Sequence, residues 1–106
     1  MSADGQLWYV IGVDIDPQYE ADFDEWYDTD HLPTVVACPG FISGRRFVSD
    51  DPDQSPRFLA AYEVESPETL RTPELREIAG FAQFADKVKN IRQLWFRSHG
   101  PVITHD

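Results

Sequence analysis

The groups in this chain able to carry a proton, hold an anion or attack a carbon are most crowded in one stretch, FDEWYDTDHLP at residues 23–33. Four carboxylates, a Trp and a Tyr lead up to His31 there. An unperturbed imidazole titrates near pH ~6.5, so it can give and take a proton at neutral pH. Asp28 and Asp30 stand close enough in sequence to orient that ring and raise its pKa. The three form a candidate acid/base centre, with His31 as the proton carrier. The same spacing also suits a histidine that closes a helix, where a positive charge meets the negative end of the dipole.

Other groups extend or compete with that centre. Arg45 and Arg46 lie in FISGRRFV, a strand-like stretch, so they point to opposite faces. Either could hold a carboxylate or stabilise an enolate, or pair at the surface with the many acids. Parity alone does not choose between them. Phe23, Trp26, Tyr27, Tyr9 and Tyr62 can line an aromatic cavity or fill a core, and a buried Tyr needs a hydrogen-bond partner in either case. His99 is a further pocket candidate near the C-terminal end, and His105 is one residue from the end. Three histidines without paired ligand spacing give no metal site. Haem would need an axial ligand, for which nothing singles out His31 or His99. Cys38 lies in an acidic stretch, poor surroundings for a reactive thiolate. Asp50, Asp51 and Asp53 lack the spacing of a calcium loop and read as a solvated turn.

Composition narrows the partners. Nine basic against nineteen acidic residues give a formal charge of -10, which repels phosphate backbones and anionic membranes. No apolar run is long enough to span a bilayer. The N-terminus has no basic segment leading into a long apolar one, so no secretory leader is expected. The single cysteine excludes an internal disulfide, and a cytoplasmic protein is expected. At 106 residues, with 42% hydrophobic and 26% charged, the chain reads as one globular domain over residues 1–106. Fourteen aromatics are many for that length and suit a pocket or an oligomer interface as well as a core.

The elements that must position these groups follow from the pattern. Residues 6–15 are apolar and β-branched, a strand buried on both faces. Asp16 and Pro17 start a helix. That helix runs to about His31, with Phe23, Trp26, Tyr27 and Asp30 at i, i+3, i+4 and i+7 on one face. Pro33 ends or kinks it. Residues 41–48 form a second strand in which Gly44 marks a bulge or a close backbone approach. A polar loop leads to a third strand, residues 57–65, making an antiparallel hairpin. Ser66–Pro67 and Thr72–Pro73 are two helix starts within a broken helical region, residues 68–89. Leu75, Ile78, Ala82 and Ala85 form its apolar series. Residues 93–104 close the chain as a fourth strand, interrupted near Gly100–Pro101.

The order β-α-β-β-α-β is the ferredoxin-like plan, an α+β fold. Its four-stranded antiparallel sheet carries helices on one face. The other, apolar face calls for cover, and a second copy is the simplest cover. This order, together with His31–Leu32–Pro33, Pro39–Gly40–Phe41 and Arg45–Arg46, resembles the dimeric α+β barrel superfamily, and within it the EthD-type proteins. The resemblance spans essentially the whole chain. It implies a homodimeric barrel with a pocket between sheet and helices, bordered by His31 and faced by an arginine of the second strand. EthD-type proteins often carry another histidine upstream in the helix. Trp26, Tyr27 and Asp28 stand there instead, which weakens a metal reading.

Taken together, these features point to a small cofactor-independent enzyme. Its chemistry would be acid/base isomerisation, cyclisation, or lactone or ketide rearrangement of an apolar, ring-bearing carbonyl compound. Two alternatives stand beside it. One is a cofactor-free monooxygenase of the same fold; the other is a non-catalytic dimeric ligand-binding or accessory protein.

Overall fold

The computed structural model describes residues 5–106; residues 1–4, the start of the segment read for a leader, lie outside it. Four strands form one antiparallel sheet: β1 (Leu7–Ile15), β2 (Phe41–Val48), β3 (Phe58–Val64) and β4 (Val88–Arg97). Their order across the sheet is β2-β3-β1-β4. The helical segments lie in two crossovers, between β1 and β2 and between β3 and β4. This is the ferredoxin-like arrangement expected from the pattern.

Alternation along the strands separates the two sheet faces. Leu7, Tyr9, Val13 and Ile15 of β1 and Phe58, Ala60, Tyr62 and Val64 of β3 are buried toward the helices. Trp8 and Val10 between them are only half-buried, so the first strand is not covered equally on its two faces. Register brings aromatic residues together: Tyr9 lies opposite Tyr62 on β3 and Trp95 on β4. In β2 the pairing slips between Phe41 and Ser43, and Gly44 then faces Tyr62. A Cβ at Gly44 would lie 2.8 Å from Val36 and 2.9 Å from Tyr62, so the glycine serves a close approach of helix to sheet.

The first crossover begins as expected. The Gln18 N–H donates to Asp16 Oδ1, and Pro17 sits in the first turn. A short 3-10 turn leads into α1 (Glu20–Trp26), but the chain then leaves the α ladder. Residues Tyr27–His31 form a π turn, closed by the Leu32 N–H donating to the Tyr27 carbonyl five residues back. Helix α2 (Leu32–Val36) follows, so Pro33 neither ends the helix nor leaves it regular. A proline at 33 has no N–H to give the carbonyl four residues earlier, and its ring crowds that carbonyl. The wider turn relieves both problems.

The second crossover is broken, as its two Ser/Thr-Pro starts suggest. It contains a 3-10 turn at Pro67–Arg71, α3 (Pro73–Ile78) and another 3-10 turn at Ala82–Phe84. Thr72 caps α3 by accepting from the Leu75 N–H, whereas Ser66 makes no side-chain cap. The expected apolar series fails after Ile78. Gly80 and Ala82 adopt positive φ and redirect the chain, so Phe81 and Phe84 are buried while Ala82 and Ala85 are exposed. Strand β4 starts five residues earlier than expected and ends at Arg97. Its polar first half belongs to an edge strand, which has one neighbour and little burial.

Candidate active site

The π turn decides which side chains of the first crossover look inward. In a continuous α-helix Asp30 would share the face of Phe23 and Tyr27. The extra residue per turn rotates Asp30 out to solvent and turns His31 in, where it is 8% exposed. Five residues apart, Trp26 and His31 now stack, with ring centroids 4.6 Å apart and planes 15° off parallel. The Tyr27 ring meets the imidazole edge-on at 4.9 Å. Burial pushes the His31 pKa below 6.5 against a weaker upward pull from the Asp30 carboxylate. The imidazole is therefore neutral at pH 7, and a neutral imidazole is a proton acceptor.

His31 lines a cavity of about 420 Å³ between the sheet and the second crossover. Tyr9, Tyr27 and Tyr62 line it too, with Gln93 from β4. The Tyr27 and Tyr62 hydroxyls are 3.2 Å apart and share a hydrogen bond. The Gln93 side chain lies near the Tyr9 hydroxyl and pulls its pKa down against the larger upward push of burial. Burial raises the pKa of all three phenols, so each remains protonated and able to donate. Ile11, Val35, Phe41, Leu70, Leu75, Phe81 and Ile91 supply apolar walls. Concave, mostly apolar space with a few convergent polar groups is the usual form of a small-molecule site. A larger hollow of about 500 Å³ opens outside Trp26, between Asp22, Glu25, Asp30 and Lys87. It holds neither His31 nor the buried tyrosines and its four charged side chains are solvated, so the smaller cavity is the candidate.

Other expected site residues fall elsewhere. Phe23 is fully buried beneath the helix, packed on Tyr27, Phe58 and Phe84, and lines no part of the His31 cavity. Trp26 backs the imidazole from outside. Asp28 does not orient His31. It accepts from Arg46 Nη1 at 3.0 Å, while Asp24 accepts from Nη2 at 2.9 Å. Asp30 accepts from the Thr34 hydroxyl at 3.4 Å and acts on His31 only through space. Arg46 is thus committed to two carboxylates and lies over the outer side of the Tyr27 ring, 4.6 Å from its centroid. Arg45 points to the open sheet face, beside Phe47. Neither arginine enters the cavity, because parity sends one away and ion pairing holds the other.

His99 lies exposed beyond the end of β4, and His105 is also exposed. The Cys38 thiol is buried and donates to the Thr34 carbonyl at 3.6 Å; desolvation, aided by Glu74, raises its pKa. Among the described residues, no group of three or more His, Cys, Asp or Glu side chains could hold a metal ion, and no helix is long and apolar enough to cross a membrane. Sequence reasoning missed Gln93, Leu70, Leu75 and Ile91. The fourth strand expected over residues 93–104 already held Gln93, whose parity with Trp95 opposite Tyr9 was the available signal, while its late start left out Ile91.

Solved structures share this architecture at low identity. An EthD family protein from Bacillus halodurans aligns with a TM-score of 0.64 at 19% identity, covering 85% of this chain and 96% of its own. A DABB family protein with a ferredoxin-like fold from Mesorhizobium loti aligns at 0.68 and 11% identity, over 91% and 99%. The haem degrader MhuD from Mycobacterium tuberculosis, solved with two haems in its active site, aligns at 0.65 and 14%, over 91% and 98%. These likenesses establish an EthD-like, ferredoxin-like α+β fold. No curated protein matches the chain. Residues 6–95 match the family described as a domain of unknown function (DUF4286), and to that family this chain belongs.

Proposed function

We propose that this protein is a small cofactor-independent enzyme that moves a proton next to the carbonyl of an apolar, ring-bearing compound. The observation that carries this reading is the meeting, in one largely apolar cavity, of a neutral imidazole and phenolic donors. His31 takes a proton from the carbon beside the carbonyl. The carbonyl oxygen gains the electron pair as an enolate and is held by the hydroxyl pair of Tyr27 and Tyr62, the role first assigned to an arginine. The imidazolium then returns the proton at another carbon, giving isomerisation; in a cyclisation the enolate carbon instead attacks a second carbonyl carbon of the same compound, the C=O π pair moves to its oxygen, and the imidazolium protonates that alkoxide. A second copy covering the open sheet face, and residence in the cytoplasm, belong to the same proposal.

The test is hydrogen–deuterium exchange in 2-tetralone, a cyclic ketone small enough for the cavity. Wild type is expected to accelerate exchange of the protons beside the carbonyl, and His31→Gln to lose about 100-fold or more of that acceleration. Undiminished exchange in a folded His31→Gln protein would refute His31 as the base. Oxygen uptake coupled to turnover would move the reading to cofactor-free oxygenation. Ring compounds that bind without any exchange would favour a non-catalytic binding protein.

A further inference from the structure

The polar groups of the His31 cavity share one property that the proposed reaction does not require. Tyr9, Tyr27, Tyr62, Gln93 and His31 are all uncharged at neutral pH. The guanidinium packed on the Tyr27 ring, Arg46, is committed to Asp24 and Asp28, and two carboxylates more than cancel its charge. A carboxylate entering this space would lose its hydration and meet no cation, a strongly unfavourable exchange. The chain's net charge of -10 adds to the repulsion.

The hydroxyl pair adds a direction. Two phenols carry two protons, and the hydrogen bond between Tyr27 and Tyr62 uses one of them. The other is free to meet an acceptor oxygen in the cavity. The amide of Gln93 and the hydroxyl of Tyr9, which both line the cavity, mark a second polar spot on the sheet wall. The volume of about 420 Å³ suits a compound of two or three fused rings.

We infer that the cavity selects uncharged two- or three-ring compounds, seats an oxygen substituent of one ring against the Tyr27–Tyr62 hydroxyl pair, and rejects carboxylates of the same shape. This rests on the reading of the cavity as the functional site and names the ligand class it takes.

The experiment is calorimetric titration of the full chain at about pH 8, where His31 is neutral, with 2-naphthol and with 2-naphthoate. The wild-type protein is expected to bind 2-naphthol at least about tenfold more tightly. The double variant Tyr27→Phe/Tyr62→Phe is expected to lose about tenfold in affinity for 2-naphthol. Equal or tighter binding of 2-naphthoate overturns the charge selection. So does failure of both compounds to bind, a result that needs no variant to fold. Undiminished 2-naphthol affinity in the double variant overturns the placement of the oxygen. These outcomes are separable from the base chemistry. A preference for 2-naphthoate would leave the tetralone exchange result standing, and absent exchange would leave a measured preference for 2-naphthol standing.

Discussion

His31 gains its character from what surrounds it. Stacked on Trp26 and met by the edge of Tyr27, it resists protonation because an imidazolium there would be poorly hydrated. An NMR titration is expected to place its pKa below 6.5, and Asp30→Asn to lower it further by removing the one opposing charge. The sign for stability follows. Below 6.5 the unfolded imidazole binds a proton that the folded one still refuses, so stability falls as pH drops through that window. The fall is complete once pH passes below the folded pKa. His31→Gln is expected to remove this component, seen as a shallower decline of Tm between about pH 7 and pH 5. His31, Tyr27, Tyr9 and Tyr62 were legible as candidates, since imidazole and phenol in an apolar setting suggest chemistry, and the four line one cavity. Asp28 misled for a physical reason: nearness in sequence says little about which partner a carboxylate takes when a guanidinium lies across the sheet.

At the scale of elements, the first crossover is where pattern and structure part. A period of 3.6 residues puts Asp30 inside and leaves His31 beside it, and only the π turn reverses them. Pro33 was visible in the sequence. Its effect upstream was not, because a proline can kink, end or widen a helix, and packing chooses among these. The crossover is held to β2 by Arg46, whose side chain is 13% exposed. Arg46→Ala is expected to destabilise the fold by about 2 kcal/mol in chemical denaturation, through loss of the ring contact and the paired hydrogen bonds. Arg46→Lys is expected to recover little, since an ammonium cannot bridge two carboxylates while lying flat on Tyr27. Recovery by lysine would show that charge alone, not the planar fork, fastens the helix.

For the whole molecule, strand order was the most legible feature. Four apolar runs, two crossovers rich in caps and one short polar loop leave few ways to build a sheet. The half-covered β4 was harder to read, since an edge strand carries polar residues that resemble a loop. That edge and the open face leave large apolar side chains in water: Phe96 is 55% exposed, Phe47 48% and Leu94 37%. If a second copy covers them, as proposed, Phe96→Glu is expected to shift the protein from dimer to monomer in light scattering while circular dichroism stays unchanged. A wild-type monomer at micromolar concentration would remove the dimer from the proposal.

The stack of Trp26 on His31 also makes the site self-reporting. An indole in van der Waals contact with an imidazole loses fluorescence when that imidazole gains a proton, because the cation accepts charge from the excited ring. Emission should therefore fall on acidification with the midpoint of His31 itself, and the step should vanish in Trp26→Phe although Trp8 and Trp95 still emit. A ligand that shields the imidazole from protonation would move that midpoint down, so occupancy of the cavity can be followed by light from the protein alone, without a label.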